Sequence, residues 1–297
     1  MNTFHDQIQR NKLKSFFLII IIFVFFLILG YIISIILDPS YFFIIMIIST
    51  IFSLGYILIS YYNSDKIALA SVRAKPASKT THSSFFRAAE NMALASGLPM
   101  PRLYIMPSSE INAFASGRNP EKAVICVTTG CLEKLNKQEL EGVIAHEMAH
   151  IANYDIRYMT LTAIMIGMIS IVAQLFLRSL WFTDFRDRDN KAGIILLILG
   201  IVFAILAPIV AQLVSLSISR KREFLADSTA VKFTRYPPGL MGALNKIKNE
   251  HVPENEKHKF ASALAPLFIS DPFKKKIQGL FSTHPPIDVR IKLLNSM

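Results

Sequence analysis

The run Asn136–Ile151, NKQELEGVIAHEMAHI, decides how the rest of the chain is read. Leu140, Val143, Ile144 and Ile151 recur at helical spacing, and Asn136 with Glu139 three residues on has the spacing of a capping box. The run therefore predicts a helix that starts just after Asn136. Inside it, His146-Glu147-Met148-Ala149-His150 spells H-E-x-x-H. One helical turn separates the two histidines, so their imidazoles share a face and can reach a single Zn2+ at about 2.0 to 2.1 Å. Glu147 leans toward the position left open for water. A carboxylate there can take a proton from water that the ion has acidified to a pKa of about 7, and can return one to a leaving amine. Gly142 is the one helix-weakening residue in the run; it costs about 1 kcal/mol relative to Ala and lies before the histidines.

A hydrolytic zinc site needs a third protein ligand. A second predicted helix offers it in Ser219-Arg220-Lys221-Arg222-Glu223-Phe224-Leu225-Ala226-Asp227. Glu223 would complete a His2Glu set. Asp227, one turn on, would accept the free N–H of a ligand imidazole, fixing its tautomer and raising its basicity. The same residues also read as a charged helix end, with Arg220, Lys221 and Arg222 as membrane-flanking cations and the acids as their partners. Spacing alone leaves both readings open.

Composition points to a membrane. Hydrophobic residues make up 52% of the chain and its mean hydropathy is +0.41, high for a soluble protein. Four uncharged apolar runs stand out, at residues 16–37, 41–62, 158–177 and 192–219. Each reaches the roughly 20 residues needed to cross a bilayer. Asp38-Pro39-Ser40 makes the first pair a tight hairpin, and residues 181–191 join the second pair. For the second pair a buried core helix is the alternative, but apolarity on all sides at that length favours spanning. The first run is too long for a cleavable signal and lacks a small-residue cleavage pattern, so it is expected to remain as an anchor.

Of the Lys and Arg residues, 3 precede the first run, 11 lie between the second and third, 14 follow the fourth, and only Arg178, Arg186, Arg188 and Lys191 fall in the predicted outer loop. The positive-inside rule then places both termini and the catalytic residues in the cytoplasm. The formal net charge of +11 is accounted for by topology and anionic lipid. Nucleic acid is not an expected partner, because the basic residues are dispersed and no base-stacking motif accompanies them.

The polar part begins near Ala74 and is split by the second hairpin. A helix is expected over residues 85–96, closed by Gly97-Leu98-Pro99. Strands are expected at 102–106, 111–115 and 122–128, with turns at Pro107-Ser108-Ser109 and Gly117-Arg118-Asn119-Pro120. Cys126 and Cys131 read as a buried strand residue and a structural thiol, since no further Cys or His stands near enough to make a thiolate metal site. After the Glu223 helix come a helix opening at Pro237-Pro238, a polar stretch over 249–259, and a terminal helix after His284-Pro285-Pro286. The strand Asn112-Ala113-Phe114-Ala115 is either an ordinary half-buried strand or an open edge to which a substrate peptide adds as a further strand.

Five motifs in order carry a resemblance: Asn112-Ala113-Phe114-Ala115, the H-E-x-x-H helix, the apolar pair that follows it, Ser219 to Asp227, and Ser282-Thr283-His284-Pro285. The chain resembles the HtpX-type membrane zinc metalloproteases, relatives of the CAAX prenyl proteases, over nearly its whole length. That resemblance implies one Zn2+ per chain on His146, His150 and Glu223, Glu147 as general base, and Asp227 and Arg290 behind the metal ligands. It also implies a role in substrate and oxyanion binding for Asn112, His284 and Arg290, which match an Asn in a strand and a His followed six residues later by an Arg. The expected fold class is an α+β membrane protein. It has four transmembrane helices in two hairpins and a mainly helical, zincin-type cytosolic protease domain with a small β-sheet. The expected divisions are a tail (1–15), a hairpin (16–62), the first part of the protease domain (74–157), a second hairpin (158–219) and the second part (220–297). The implied setting is the cytoplasmic membrane of a prokaryote, with the lipid bilayer and misfolded or damaged membrane proteins as partners. Stress-linked quality control goes with it.

Three rivals are weaker. An intramembrane site-2-type protease carries H-E-x-x-H within a spanning helix, whereas Lys134, Lys137, Glu139, Glu141 and Asn153 flank it here. A CAAX prenyl protease shares the ligands but encloses them in more than four spanning helices. A non-catalytic membrane scaffold has no need of Glu147.

Overall fold

The computed structural model describes residues 4–37, 39–179, 220–250, 267–269 and 285–297. Helix α1 (Phe4–Leu37) and helix α2 (Phe42–Tyr62) form an antiparallel pair joined through a 3-10 turn at Pro39–Tyr41. Within them Asn11–Ile35 and Phe42–Tyr62, 25 and 21 residues, are long and apolar enough to cross a membrane. At 1.5 Å per residue they reach about 38 and about 32 Å, against a hydrocarbon core of about 30 Å. Phe16, Ile21, Ile28, Phe43, Ile51 and Ile59 are all exposed. A soluble core helix would bury such side chains, whereas a lipid-facing one leaves them outward.

Helix α3 (Ser64–Ser71), unforeseen in the sequence, leads from α2 into a four-stranded sheet of order β1-β2-β4-β3. Its strands are β1 (Lys75–Pro76), β2 (Arg102–Met106), β3 (Ala113–Ser116) and β4 (Val124–Thr128). The pairs β1–β2 and β3–β4 are antiparallel and β2–β4 is parallel. β2 lies where the sequence places it. β3 starts two residues later than expected, and β4 also starts two residues later because Pro120–Lys122 form a 3-10 turn. β4 reads VICVT without alternation because both faces of the sheet are covered and all five residues are buried. Ile125 and Val127 join a core with helix α4 (Ser83–Ser96) and the later helices, while Val124 and Cys126 join a second core with α1 and α3. α4 stops at Gly97, whose φ of 69° takes the left-handed conformation open to glycine.

Short helix α5 (Thr129–Lys134) precedes helix α6 (Lys137–Ala152), the hub of the first core, which packs against α4 and β3. Its capping box forms: Glu139 N–H donates to Asn136 Oδ1 at 2.9 Å, and Asn136 N–H donates to Glu139 Oε2 at 2.8 Å. Helix α7 (Asp155–Ser179) follows a tight turn, then come helix α8 (Arg220–Thr234), helix α9 (Pro237–Asn249) and helix α10 (Ile287–Leu294). Gly142 has a packing reason. A Cβ on it would sit 2.5 Å from Leu240 N, so its absence lets α9 press backbone to backbone on α6.

The third apolar run lies in α7, whose first turns are buried against α1 and β3 through Tyr158, Met159, Leu161 and Met165. The fourth run, 192–219, and the 181–191 connection lie outside the described residues. The described chain is thus mostly helical with a small mixed sheet and two membrane-length helices.

Candidate metal centre

α6 carries His146 and His150 on one face, and α8 crosses α6 so that Glu223 meets them. All three side chains are buried. Glu223 Oε2 lies 3.7 Å from His146 Nε2, and Glu223 Oε1 lies 3.6 Å from His150 Nε2. These separations are too long for hydrogen bonds. Donors sharing one tetrahedral ion at 2.0 to 2.1 Å stand about 3.3 Å apart, close to what is found. One ligand atom from each of the three residues lies within 4.8 Å of the others, so the group can hold a metal ion. Among the described residues, His146 Nε2 and Glu147 Oε2 are buried without a hydrogen-bond partner. Such orphaned groups cost about 1 to 3 kcal/mol each unless something fills the space between them. The donor set and its gap therefore fit a metal.

Each imidazole is held from behind by its own carboxylate. His146 Nδ1 lies 3.0 Å from Asp227 Oδ1, one helical turn beyond Glu223. Arg290 from α10 grips Asp227 with two parallel bonds, Nε to Oδ2 at 2.8 Å and Nη2 to Oδ1 at 2.7 Å. Its Nη1 donates to Ile269 O at 3.2 Å. His150 Nδ1 lies 3.0 Å from Asp155 Oδ2. Asp155 was not foreseen: it follows His150 by five residues, and only the left-handed backbone of Tyr154, φ 58°, folds it back beneath the ring. Asp155 Oδ1 accepts from Asn11 Nδ2 at 2.7 Å and lies 3.2 Å from Arg222 Nε. Arg222 is therefore no membrane-flanking cation. It is buried, with its guanidinium 4.8 Å from the centre of the Tyr158 ring, because the Asp155 carboxylate needs a positive partner.

The electrostatics favour a cation at this donor set. Burial alone pulls the His146 imidazole down, but Asp227 and Glu223 outweigh it and hold its pKa at about 9. Burial pushes the Glu147 carboxyl above its usual range, partly offset by the two imidazoles. That suits a group which must take and give a proton near neutrality. For Asp227, burial is overcome by Arg290 and His146, which take it down to about 2. Cys126 and Cys131 are no rival ligands, since burial pushes Cys131 up to about 12 and Cys126 well up.

A pH dependence follows. Below about pH 9 an incoming ion must displace the His146 proton, so apparent affinity is expected to rise about tenfold per pH unit toward that value and then level off. Competition titrations at pH 6.5, 7.5 and 8.5 check this. Equal affinity at all three would show that His146 is already neutral.

The remaining sequence candidates fall as follows. Asn112 is buried beside the start of β3, where its Oδ1 accepts from Ala113 N–H at 3.0 Å and its carbonyl accepts from Thr128 N–H at 3.0 Å. β3 is an edge strand, and the Ala115 backbone reaches the Glu147 carboxylate. The edge is not open, however. Ile269 N–H donates to Ala113 O at 2.9 Å, and the Phe268 ring stands edge-on to Phe114 at 5.5 Å. The half-buried strand reading also needs correcting, since all four β3 residues are buried under that second layer. Arg290 lies on Asp227, behind His146, the place expected for it beside the metal ligands, and His284 lies outside the described residues.

Comparisons with known proteins give the family. Residues 80–297 match Peptidase family M48. A Protease HtpX homolog of Caldanaerobacter subterraneus is 43% identical over 296 residues, covering 98% of this chain and 97% of its own. Another, from Thermoanaerobacter pseudethanolicus, is 45% identical over 255 residues, 84% of each chain. The crystal structure of S. mikatae Ste24p aligns with a TM-score of 0.47 and 18% identity, covering 96% of this chain and 65% of that one. The chain belongs to peptidase family M48, alongside the HtpX-type proteases, and is a membrane metalloprotease.

Proposed function

We propose that this metalloprotease is a zinc endopeptidase of a prokaryotic cytoplasmic membrane. It holds one Zn2+ per chain on His146, His150 and Glu223 and cleaves misfolded or damaged membrane proteins. The observation that carries the reading is the convergence of both Nε2 atoms on the Glu223 carboxylate at 3.6 and 3.7 Å, with the Glu147 carboxyl buried beside them. When bound, the ion supplies the positive charge that polarises a scissile carbonyl and acidifies water. The protein does the rest. Glu147 takes the proton of the attacking water and hands it to the leaving amine. Asp227 and Asp155 keep the Nδ1 protons of His146 and His150, so both Nε2 lone pairs face the ion. Asn112 and His284 donate to the oxyanion. The substrate backbone runs along Asn112–Ala115, exchanging with Leu267–Ile269 at the edge of β3, which brings its carbonyl to Glu147.

Topology supports the setting. With runs 158–177 and 192–219 as a second spanning hairpin between residues 74–157 and 220–297, 28 of the 32 basic residues fall on one side, the cytoplasmic side. The same division leaves residues 1–15 as a cytoplasmic tail and 16–62 as the first hairpin. His150 is then only a few residues from where 158–177 enters the bilayer, within reach of the cytosolic loops of membrane proteins.

The test is proteolysis of an unfolded membrane protein by the metal-stripped and the zinc-restored enzyme. Cleavage is expected to vanish on stripping and to return with one equivalent of Zn2+, while a His146→Ala/His150→Ala variant neither binds zinc nor recovers. Equal zinc content in that variant and the wild type would overturn the ligand assignment.

A further inference from the structure

Asn11 stands near the start of the first membrane-length helix, yet its side chain is buried and points at the metal centre. Its Nδ2 makes two bonds: one to Asp155 Oδ1 at 2.7 Å, the other to Asn153 O at 3.0 Å. Asn153 is the C-cap of α6, and Asp155 is the carboxylate under His150. We infer that Asn11 is a positioning residue of the metal centre, so that helix α1 is part of the site as well as an anchor. The inference rests on the metal-site reading above and adds to it a residue from the far end of the chain.

A carboxylate offers acceptor positions on both oxygens. In Asp155, Asn11 and Arg222 occupy Oδ1, and Oδ2 is left to His150 Nδ1. Two hydrogen bonds, from Asn11 and His150, and the ion pair with Arg222, each from a different element, thus fix the plane of one fully buried carboxyl, and with it the tautomer and tilt of the His150 ring. Arg222 comes from α8, the helix that also carries Glu223, and His150 belongs to α6. Among the described residues, Asn11 is what ties this group to the membrane hairpin. Asp227, the counterpart under His146, is held instead by Arg290 from α10. Each imidazole thereby answers to a different distant part of the chain. Loss of Asn11 leaves Oδ1 with Arg222 alone and releases the end of α6, so the His150 Nε2 is no longer held toward Glu223.

The test uses the full chain in lipid nanodiscs. Asn11→Leu, of similar size, is expected to weaken Zn2+ binding about tenfold in competition with a chromophoric chelator, the size typical of a lost carboxylate–histidine support. Asn11→Gln, which keeps the amide, is expected to recover part of that loss. Ser15→Ala, one turn along the same buried face, where the Ser15 hydroxyl donates to Asn11 O at 2.8 Å, is expected to leave affinity unchanged. A second readout needs no metal: 15N shifts of the His150 ring in the metal-free protein should move in Asn11→Leu and not in Ser15→Ala. A purely structural Asn11 would lower the melting temperature of Asn11→Leu without moving the ring shifts, and that result overturns the inference. Should the wild type fail to bind Zn2+, the metal reading falls, and the ring shifts alone decide whether Asn11 positions His150.

Discussion

Glu147→Gln is expected to cut peptide cleavage by about 10^2-fold or more while bound zinc stays near one per chain. The separation of these two outcomes comes from the geometry. Glu147 sits on α6 between the histidines but is not among the three residues whose atoms converge; its Oε2 is buried without a hydrogen-bond partner among the described residues. A neutral amide fits the same space and keeps the hydrogen-bonding reach, so the metal ligands and their carboxylate supports are untouched. What is lost is the ability to accept a proton. Burial already holds the Glu147 carboxyl above its ordinary range, which brings its affinity for protons closer to that of the water it must deprotonate. Zinc content by elemental analysis and cleavage of an unfolded membrane protein, with contaminating proteases excluded, check the two halves together. Full activity in the variant would remove Glu147 from the mechanism whatever metal the site contained.

What sequence could reveal divides by distance along the chain. The capping box at Asn136, the shared face of His146 and His150, and the stop at Gly97 are all settled within one or two turns of backbone, and each forms as read. Glu223 and Asp227 share a helical face, so their arrival together followed once their helix crossed α6. Asp155 escaped notice although it is only five residues from His150, because its placement depends on a left-handed Tyr154, and a bulky residue gives no sign of that conformation. Asn11 and Arg222 escaped for the opposite reason. Both sit at the ends of apolar runs, where a polar residue reads as a lipid-facing flank, and their burial depends on contacts with an Asp155 that lies far from each of them along the chain. The uniform burial of β4 erased the alternation that marks a one-faced strand. Among the described residues the second layer over β3 is Leu267–Ile269, with nothing in their composition to announce that Phe268 pairs with the distant Phe114.

Removing the guanidinium behind His146 is expected to have the largest effect on the fold itself. Arg290 is among the largest fully buried side chains, and among the described residues its fork on Asp227 is the one ion pair in which both partners are almost wholly out of water and bonded twice. Breaking such a pair by deleting one partner strands the other charge and costs about 3 to 5 kcal/mol. Arg290→Met keeps the bulk of the stem, so the cost reflects the charge more than a cavity. Since the folded pKa of Asp227, about 2, lies below the roughly 3.9 of an unfolded Asp, its contribution to stability is present above pH 3.9 and is lost as pH falls through 2. The gap in melting temperature between wild type and Arg290→Met should therefore be full at pH 7 and narrow as pH drops toward 2. Zinc affinity should fall with it, by roughly 10 to 100-fold, because Asp227 no longer holds the His146 ring in place. Arg290→Lys, which restores a charge but not the fork, should fall between the two. Thermal unfolding and chelator competition on the same preparations measure both quantities. An Arg290→Met protein that melted like the wild type at pH 7 and bound zinc as tightly would mean that His146 is oriented without the Asp227–Arg290 pair.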